Sequence, residues 1–243
     1  MKKLTTLAAV VAMAASSAVF AEAPKSDFEF SANVSMATDY RFRGWSQTDT
    51  SPAIQGGFDM NHSSGFYAGV WGSNVDFAKS MELDYYVGFS TDLSEDVAID
   101  VGYLYYDYPG TPDVDDYQEI YGSISFNDIT LGLNYSDDYY FETGKFFYLY
   151  ADYSISLPED FSLSFHLGHN DFDRSSSNAN PGDNVFLGNN ADSYLDYSIG
   201  ISKEFSGVEL GLSWIDTDLS DAECAGSSSN CEGAVVFSIS KSL

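Results

Sequence analysis

From Phe28 to Arg43 apolar and polar residues alternate almost without error. Phe28, Phe30, Ala32, Val34, Met36, Tyr40 and Phe42 fall on one face, and Glu29, Ser31, Asn33, Ser35, Asp39, Arg41 and Arg43 on the other. A period of two marks a strand, because successive side chains of a strand point to opposite faces of the sheet. At about 3.3 Å per residue the segment is longer than the usual strand of a globular sheet and can cross a bilayer even when tilted. The spacing predicts one strand running from Phe28 to Arg43.

The pattern recurs along the chain. Ile54, Phe58 and Met60 alternate with Gln55, Asp59 and Asn61; Leu83, Tyr85, Val87 and Phe89 with Glu82, Asp84, Tyr86, Gly88 and Ser90; Val97, Ile99, Val101, Tyr103 and Tyr105 enclose Asp100 and Gly102. Similar runs occupy 120–126, 129–135, 147–157, 161–167, 195–201 and 208–214, and with 66–73 and a last run from Val235 to Leu243 they make twelve strands. Tight connections near 61–65, 94–96, 127–128, 158–160 and 205–207 alternate with longer ones at 44–51, 74–80, 109–116, 137–144, 170–192 and 217–233. Short turns at one end and long loops at the other are the layout of an outer-membrane barrel, with both termini on the short-turn, periplasmic side.

Alternation alone also fits a soluble β-sandwich or a lipocalin-like barrel, whose apolar face turns inward. Two features favour lipid. Aromatic residues crowd the strand ends (Tyr40, Phe42, Tyr103, Tyr105, Tyr108, Tyr194, Tyr197), as interfacial girdles do, and the polar face carries Ser, Gly, Asn, Asp and Glu with few bases. The fold expected is all-β: a single antiparallel up-and-down transmembrane β-barrel of about twelve strands. That number lies between the eight of filled barrels and the sixteen to eighteen of wide channels, so a narrow pore, or one partly plugged by the long loops, is expected.

The chain starts with Lys2 and Lys3, an Ala-rich apolar run from Leu4 to Phe20, and a small residue at Ala21, the three parts of a secretory signal peptide cut after Ala21. The remainder, 22–243, fits one barrel domain. Its destination is then the outer membrane of a Gram-negative bacterium, with outer-membrane lipid as its surroundings.

Charge narrows the partners. The formal net charge is −27, from 37 acidic against 10 basic residues, and loss of Lys2 and Lys3 makes the mature chain more negative still. Nucleic acid is excluded, since phosphate binding needs Lys and Arg. Cys224 and Cys231 are the only cysteines and lie seven apart in a Ser-, Gly- and Asn-rich stretch. In an oxidising compartment a disulfide closing one loop is the natural reading, with a metal pair as the alternative.

The segment Tyr40-Arg41-Phe42-Arg43-Gly44, followed by Ser46-Gln47-Thr48 and by Pro52-Ala53-Ile54-Gln55-Gly56-Gly57, resembles the N-terminal motif of the TorF family of outer-membrane, porin-like proteins. Gly69-Val70-Trp71-Gly72-Ser73-Asn74, Glu82-Leu83-Asp84-Tyr85 and the closing Ser238-Ile239-Ser240-Lys241-Ser242 add to the likeness. The resemblance implies an outer-membrane location and leaves the solute open.

If the apolar face meets lipid, the opposite face decides transport. Parity assigns Glu29, Asp39, Asp59, Glu82, Asp84, Asp100, Glu119, Asp152, Asp196 and Glu209 to the lumen, with Arg41 and Arg43 as its clearest bases and Tyr67 and Trp71 as its aromatics. The excess of acids predicts a pore for small hydrophilic solutes that prefers cations. The two arginines either form a charge-paired constriction or neutralise nearby acids. His166 shares its face with Ser162 and Ser164, but no third group completes a hydrolytic site. The acidic loop holding Asp171, Asp173, Asp183 and Asp192 lacks the EF-hand spacing, so a solvated loop is expected in place of a Ca²⁺ site. No phosphate loop, HExxH zinc motif or GxSxG elbow occurs, so neither an enzyme nor a cofactor is expected. The competing classes are a non-conducting receptor or adhesin and, less favoured, a lipid-modifying outer-membrane enzyme.

Overall fold

A computed structural model describes residues 26–78, 80–110, 116–181, 183–224 and 228–243. The expected signal peptide, 1–21, and residues 111–115 of the third long loop lie outside the described residues. Twelve strands form the barrel: β1 (Phe28–Ala37), β4 (Ala53–His62), β5 (Phe66–Ser73), β6 (Glu82–Asp92), β7 (Val97–Asp107), β8 (Tyr117–Phe126), β9 (Ile129–Ser136), β10 (Phe146–Leu157), β11 (Phe161–Phe172), β12 (Ser193–Phe205), β13 (Val208–Thr217) and β14 (Ala234–Ser242). Two short strands, β2 (Arg41–Phe42) and β3 (Trp45–Ser46), make a separate hairpin.

Each barrel strand pairs antiparallel with its neighbours in sequence, and β1 pairs with both β4 and β14, which closes the ring. Closure gives every strand two partners and leaves no open edge. The seam is short, from Asn33↔Ser242 to Ala37↔Ser238, and is extended by mutual backbone bonds between Ala32 and Leu243. No helix among the described residues is long and apolar enough to cross a membrane.

The alternation read from the sequence becomes an outward apolar belt. Phe30, Phe58 and Leu149 are 72%, 69% and 60% exposed, and Ile120, Leu167, Phe237 and their neighbours share that face. The tight connections are built for reversal. Ser206 and Gly207 have φ of 55° and 77°, and between them they join β12 to β13 as a two-residue turn with both central residues left-handed, the form that matches strand twist.

One boundary differs from expectation. β1 stops at Ala37, six residues short of Arg43, and residues 38–52 form a loop that folds into the barrel. The alternation continued past Ala37 because Arg41-Phe42 is itself a strand, though of a different sheet.

The girdle is also corrected in part. Tyr103 and Tyr105 do lie outward and bond Gln118 and Asp116, but Tyr40, Tyr108 and Tyr194 are buried inside the barrel, with Phe42 packed against them. The loops place their own side chains in that half of the lumen, and the aromatic rings there pack on one another.

Candidate functional site

The site grows from the first loop. Phe42-Arg43-Gly44-Trp45 is a hairpin whose two turn residues, Arg43 and Gly44, have φ of 50° and 80°. A Cβ at Gly44 would lie 2.4 Å from Thr217 and 3.0 Å from Asp196, so strain and space both require glycine there. The hairpin root is tied by Asp39, which accepts from Ser46 Oγ (2.7 Å), Thr48 Oγ1 (3.0 Å) and Arg41 Nε (2.5 Å). Arg41 also donates to the carbonyls of Gly44, Asn230 and Glu232, fastening loop 38–52 to loop 218–233.

Loop 218–233 is closed by the Cys224–Cys231 disulfide, with Cα atoms 6.1 Å apart. Thr217 Oγ1 at the end of β13 donates to the Cys231 carbonyl (3.0 Å). The staple therefore stiffens the backbone that Arg41 grips.

Arg43 carries the hairpin to the far wall. It forms a bidentate pair with Glu119 of β8 (2.7 and 2.8 Å), and its guanidinium lies over the rings of Tyr148 and Phe146 of β10 at 4.4 and 4.7 Å. In the closed order, β8 and β10 are each five strands from β1 by the shorter way round. The loop thus spans the lumen. Burial by itself lowers the pKa of the Arg43 guanidinium, but the Glu119 charge beside it outweighs that and holds it well above the ordinary value. Glu119 is fully buried and also accepts from Asn134 Nδ2 (2.8 Å) and Tyr106 OH (3.3 Å).

Above this pair the lumen is filled with rings. Tyr139 stacks on Phe146 at 4.1 Å, Tyr106 on Tyr117 at 4.2 Å, and Phe172 on Phe186 at 4.9 Å. Inward tyrosines of β7, β8 and β10 meet aromatics from loops 38–52, 137–145 and 173–192 in one cluster.

The inner wall holds its acids mainly with phenols. Tyr40 and Tyr108 donate to the two oxygens of Glu82 (2.8 and 2.9 Å), Tyr67 to Asp100 (2.7 Å), Tyr86 to Asp59, and Tyr148 to Asp196 (3.1 Å). Burial first, then the Glu82 charge, push the Tyr40 and Tyr108 hydroxyls well above their ordinary range, so both remain donors. Asp84 is only 2% exposed and its Oδ1 has no hydrogen-bond partner.

A second polar cluster lies on the wall of β10–β12. His166 Nδ1 is 2.6 Å from Asp152, and its Nε2 is 2.9 Å from Asp196 and 2.7 Å from the Tyr148 hydroxyl. Asn170 Nδ2 donates to the other oxygen of Asp196 (2.7 Å). Both ring nitrogens are occupied by these contacts, which leaves neither to activate Ser162 or Ser164.

The residues picked by parity are therefore distributed unequally. Arg43, Trp71, Glu82, Asp84, Asp100, Glu119 and Asp196 are buried in the barrel interior; Asp59 and Asp152 are partly buried there; Glu29 and Glu209 stand near the short-turn end, exposed and half-buried. Asp39 and Arg41 belong to the inserted loop and not to the strand wall. Trp71 packs edge-on against Tyr40 at 5.5 Å as filler. Asp183 caps its own turn, accepting from Asn180 N and Nδ2 (2.9 and 3.2 Å), and among the described residues no group of three or more His, Cys, Asp or Glu is placed to hold a metal.

Parity did not point to the tyrosines as partners of the acids or to a ring-filled outer half. One signal was present. In Phe146-Phe147-Tyr148-Leu149-Tyr150 the alternation lapses into a continuous apolar run, and the rings of Phe146, Tyr148 and Tyr150 occupy the inner face while Phe147 and Leu149 stay on the outer belt.

Comparison with solved structures places this barrel beside porins. The NanC porin aligns with a TM-score of 0.53 at 10% identity over 86% of this chain and 97% of its own. The KdgM porin gives 0.54 at 8%, over 87% and 97%, and KdgM in complex with disordered oligogalacturonate gives 0.53 at 7%, over the same shares. Likeness at such identities establishes a shared fold. The profile of a family described as bacterial proteins of unknown function, Gcw_chp, matches residues 21–243. No curated protein matches the sequence.

Proposed function

The chain belongs to the Gcw_chp family, and from that premise we propose that it is an outer-membrane channel admitting small hydrophilic solutes by passive diffusion, with preference for cations. The observation that carries this reading is a closed twelve-stranded barrel with an apolar outer belt and an acid-lined interior. Such a body buries its belt in lipid and satisfies its backbone internally, as a membrane-spanning barrel must. The porin fold of NanC and KdgM and the motif likeness to the TorF family support the same reading, and the proposal includes export by a cleaved 1–21 signal to a Gram-negative outer membrane.

The solute class differs from the one bound in the KdgM complex. Oligogalacturonate is a polyanionic sugar acid, whereas the interior here sets Asp59, Asp84, Asp100, Asp152 and Asp196 against few bases. Field from such a wall favours cations near it.

The test is reconstitution of the mature chain in a planar bilayer. Stepwise conductance with a cation-selective reversal potential under a KCl gradient is expected; anion selectivity would overturn the preference, and silence together with silence of a loop-trimmed variant would overturn the channel. A second reading, a non-conducting receptor platform, is favoured by one observation, the loop 38–52 and ring cluster filling one end of the lumen. Silence of the intact chain and of the trimmed variant is its signature.

A further inference from the structure

At the loop end, above the Arg43–Glu119 pair, lies a cavity of about 280 Å³. Among the described residues its walls come from the inserted loop 38–52, from Phe77, Tyr108, Val185, Phe186 and Asn230 of other loops, from 139–143, and from Tyr117 and Tyr194 at the starts of β8 and β12. Ten of its fourteen lining residues are aromatic, and none of the fourteen is charged.

Four properties define what would bind there. The rings of Phe77, Tyr108 and Tyr140 meet edge-to-face, at 5.4 to 6.0 Å, and all three line the cavity. The Tyr108 hydroxyl donates to the Glu82 carboxylate, which enriches the electrons of its ring. Asn230 lines the wall, and its Oδ1 is buried and accepts no hydrogen bond from the described residues. Arg43, next to Phe42 in the chain, is paired with Glu119, and its guanidinium lies over two of the lining rings, Phe42 at 4.5 Å and Tyr139 at 5.9 Å, so faces of this cluster already hold a cation.

We infer that this cavity is a binding site for a small organic cation bearing at least one N–H, an alkyl- or arylammonium. The positive end lies against ring faces, where the quadrupole is negative, and its N–H satisfies Asn230 Oδ1. An anion would meet the same negative faces, and none of the described lining residues is a base that could donate to it. A neutral sugar could stack, yet a sugar draws on several hydrogen-bonding groups, and Gln47, Thr143, Asn230 and the phenols are the polar groups on offer. The acidic body adds a field that gathers cations at the mouth.

The site does not depend on conduction, because a barrel that passes nothing can still hold a ligand at its mouth. Binding is therefore read in neutral maltoside micelles, without a membrane, in 0.5 M NaCl so that attraction to the general surface charge is screened. Calorimetric titration compares phenethylammonium with its neutral analogue 2-phenylethanol, with 3-phenylpropionate and with methyl glucoside. The ammonium is expected to bind at least tenfold tighter than the alcohol, and the carboxylate and sugar not at all. Tyr140→Leu and Phe77→Leu, each of which removes one ring, are expected to weaken the ammonium tenfold or more, and Asn230→Ala to weaken phenethylammonium but not its trimethylated form. Trp45 fluorescence in a Trp71→Phe, Trp214→Phe background locates the event. Equal affinity for ammonium and alcohol, preference for the sugar or carboxylate, no binding, or binding unmoved by all three variants would each overturn the inference.

Discussion

At the residue scale the interior is organised by a pairing of phenols with carboxylates and by two arginine–carboxylate pairs, Arg41–Asp39 at the root of the inserted loop and Arg43–Glu119 across the lumen. Arg43 and Glu119 are both buried, so removing one partner strands the other in a water-poor lumen at a cost of about 3–5 kcal/mol. The barrel ladder does not depend on that pair; the docking of loop 38–52 does. Arg43→Ala is therefore expected to release the loop, raise single-channel conductance and expose residues 38–52 to protease while the barrel remains folded. Replacing both partners by apolar residues, Arg43→Met with Glu119→Leu, is expected to restore the low conductance, because no charge is left unpaired. Unchanged conductance and protection in Arg43→Ala would refute the docking role. A second residue-scale device is the fit of tyrosine over glycine. A Cβ on Gly69 would meet the Tyr86 ring at 2.3 Å, and one on Gly88 would meet Tyr67 at 2.2 Å, across the same two strands. Gly69→Ala is expected to cost about 1–3 kcal/mol of barrel stability in urea, as overpacking does, and to free Asp59 from its phenol. Period-two parity carried Glu82, Asp84, Asp100, Glu119 and Asp196 to the interior in the sequence reading. It could not carry the phenols that bond Glu82, Asp100, Glu119 and Asp196, since these sit on other strands or on loops, and register is fixed only when the ring closes.

At the scale of elements, two loops act as one brace. Arg41 of the inserted hairpin holds the carbonyls of Asn230 and Glu232, and the disulfide between Cys224 and Cys231 constrains the chain on either side of them. Closing so short a loop is worth about 2–3 kcal/mol in the chain-entropy model. Reduction, or Cys224→Ser with Cys231→Ser, is expected to loosen loop 218–233 and, through Arg41, the hairpin. Hydrogen exchange at Trp45–Thr48 should rise with no change in the strands; exchange confined to 218–233 would show that the brace does not transmit. The twelve strands were legible because each keeps an apolar face over eight or more residues, and the short turns because Asn, Asp and Gly punctuate them. The hairpin was not, since Asp39, Tyr40, Arg41 and Phe42 continue the period of β1 in unbroken phase. The one break in the text is Arg43-Gly44, a left-handed pair flanked by Phe42 and Trp45, and it reads as a two-residue turn only once those flanking residues are seen to face each other.

At the scale of the whole molecule, wall and filling are separable, and so are the properties they set. Twelve strands enclose more space than the eight whose side chains fill a barrel, so a clear passage here is limited by what the loops insert, not by the ring. In the channel proposed above, the acids assigned to ion selection are on the ring: Asp59, Asp100, Asp152 and Asp196 belong to β4, β7, β10 and β12 and not to loop 38–52. Conductance should then answer to the loop and selectivity to the wall. Replacing Arg41–Ser46 with a Gly-Gly turn is expected to raise conductance several-fold while the reversal potential keeps its cation-selective sign. That selectivity should shrink as salt rises from 0.1 to 1 M, because the screening length falls from about 10 Å to about 3 Å and the wall's field no longer reaches the axis. The opposite division, selectivity lost with the hairpin while conductance stays low, would place the filter in loop 38–52, where Asp39 and Glu119 hold Arg41 and Arg43, and would make the wall acids structural.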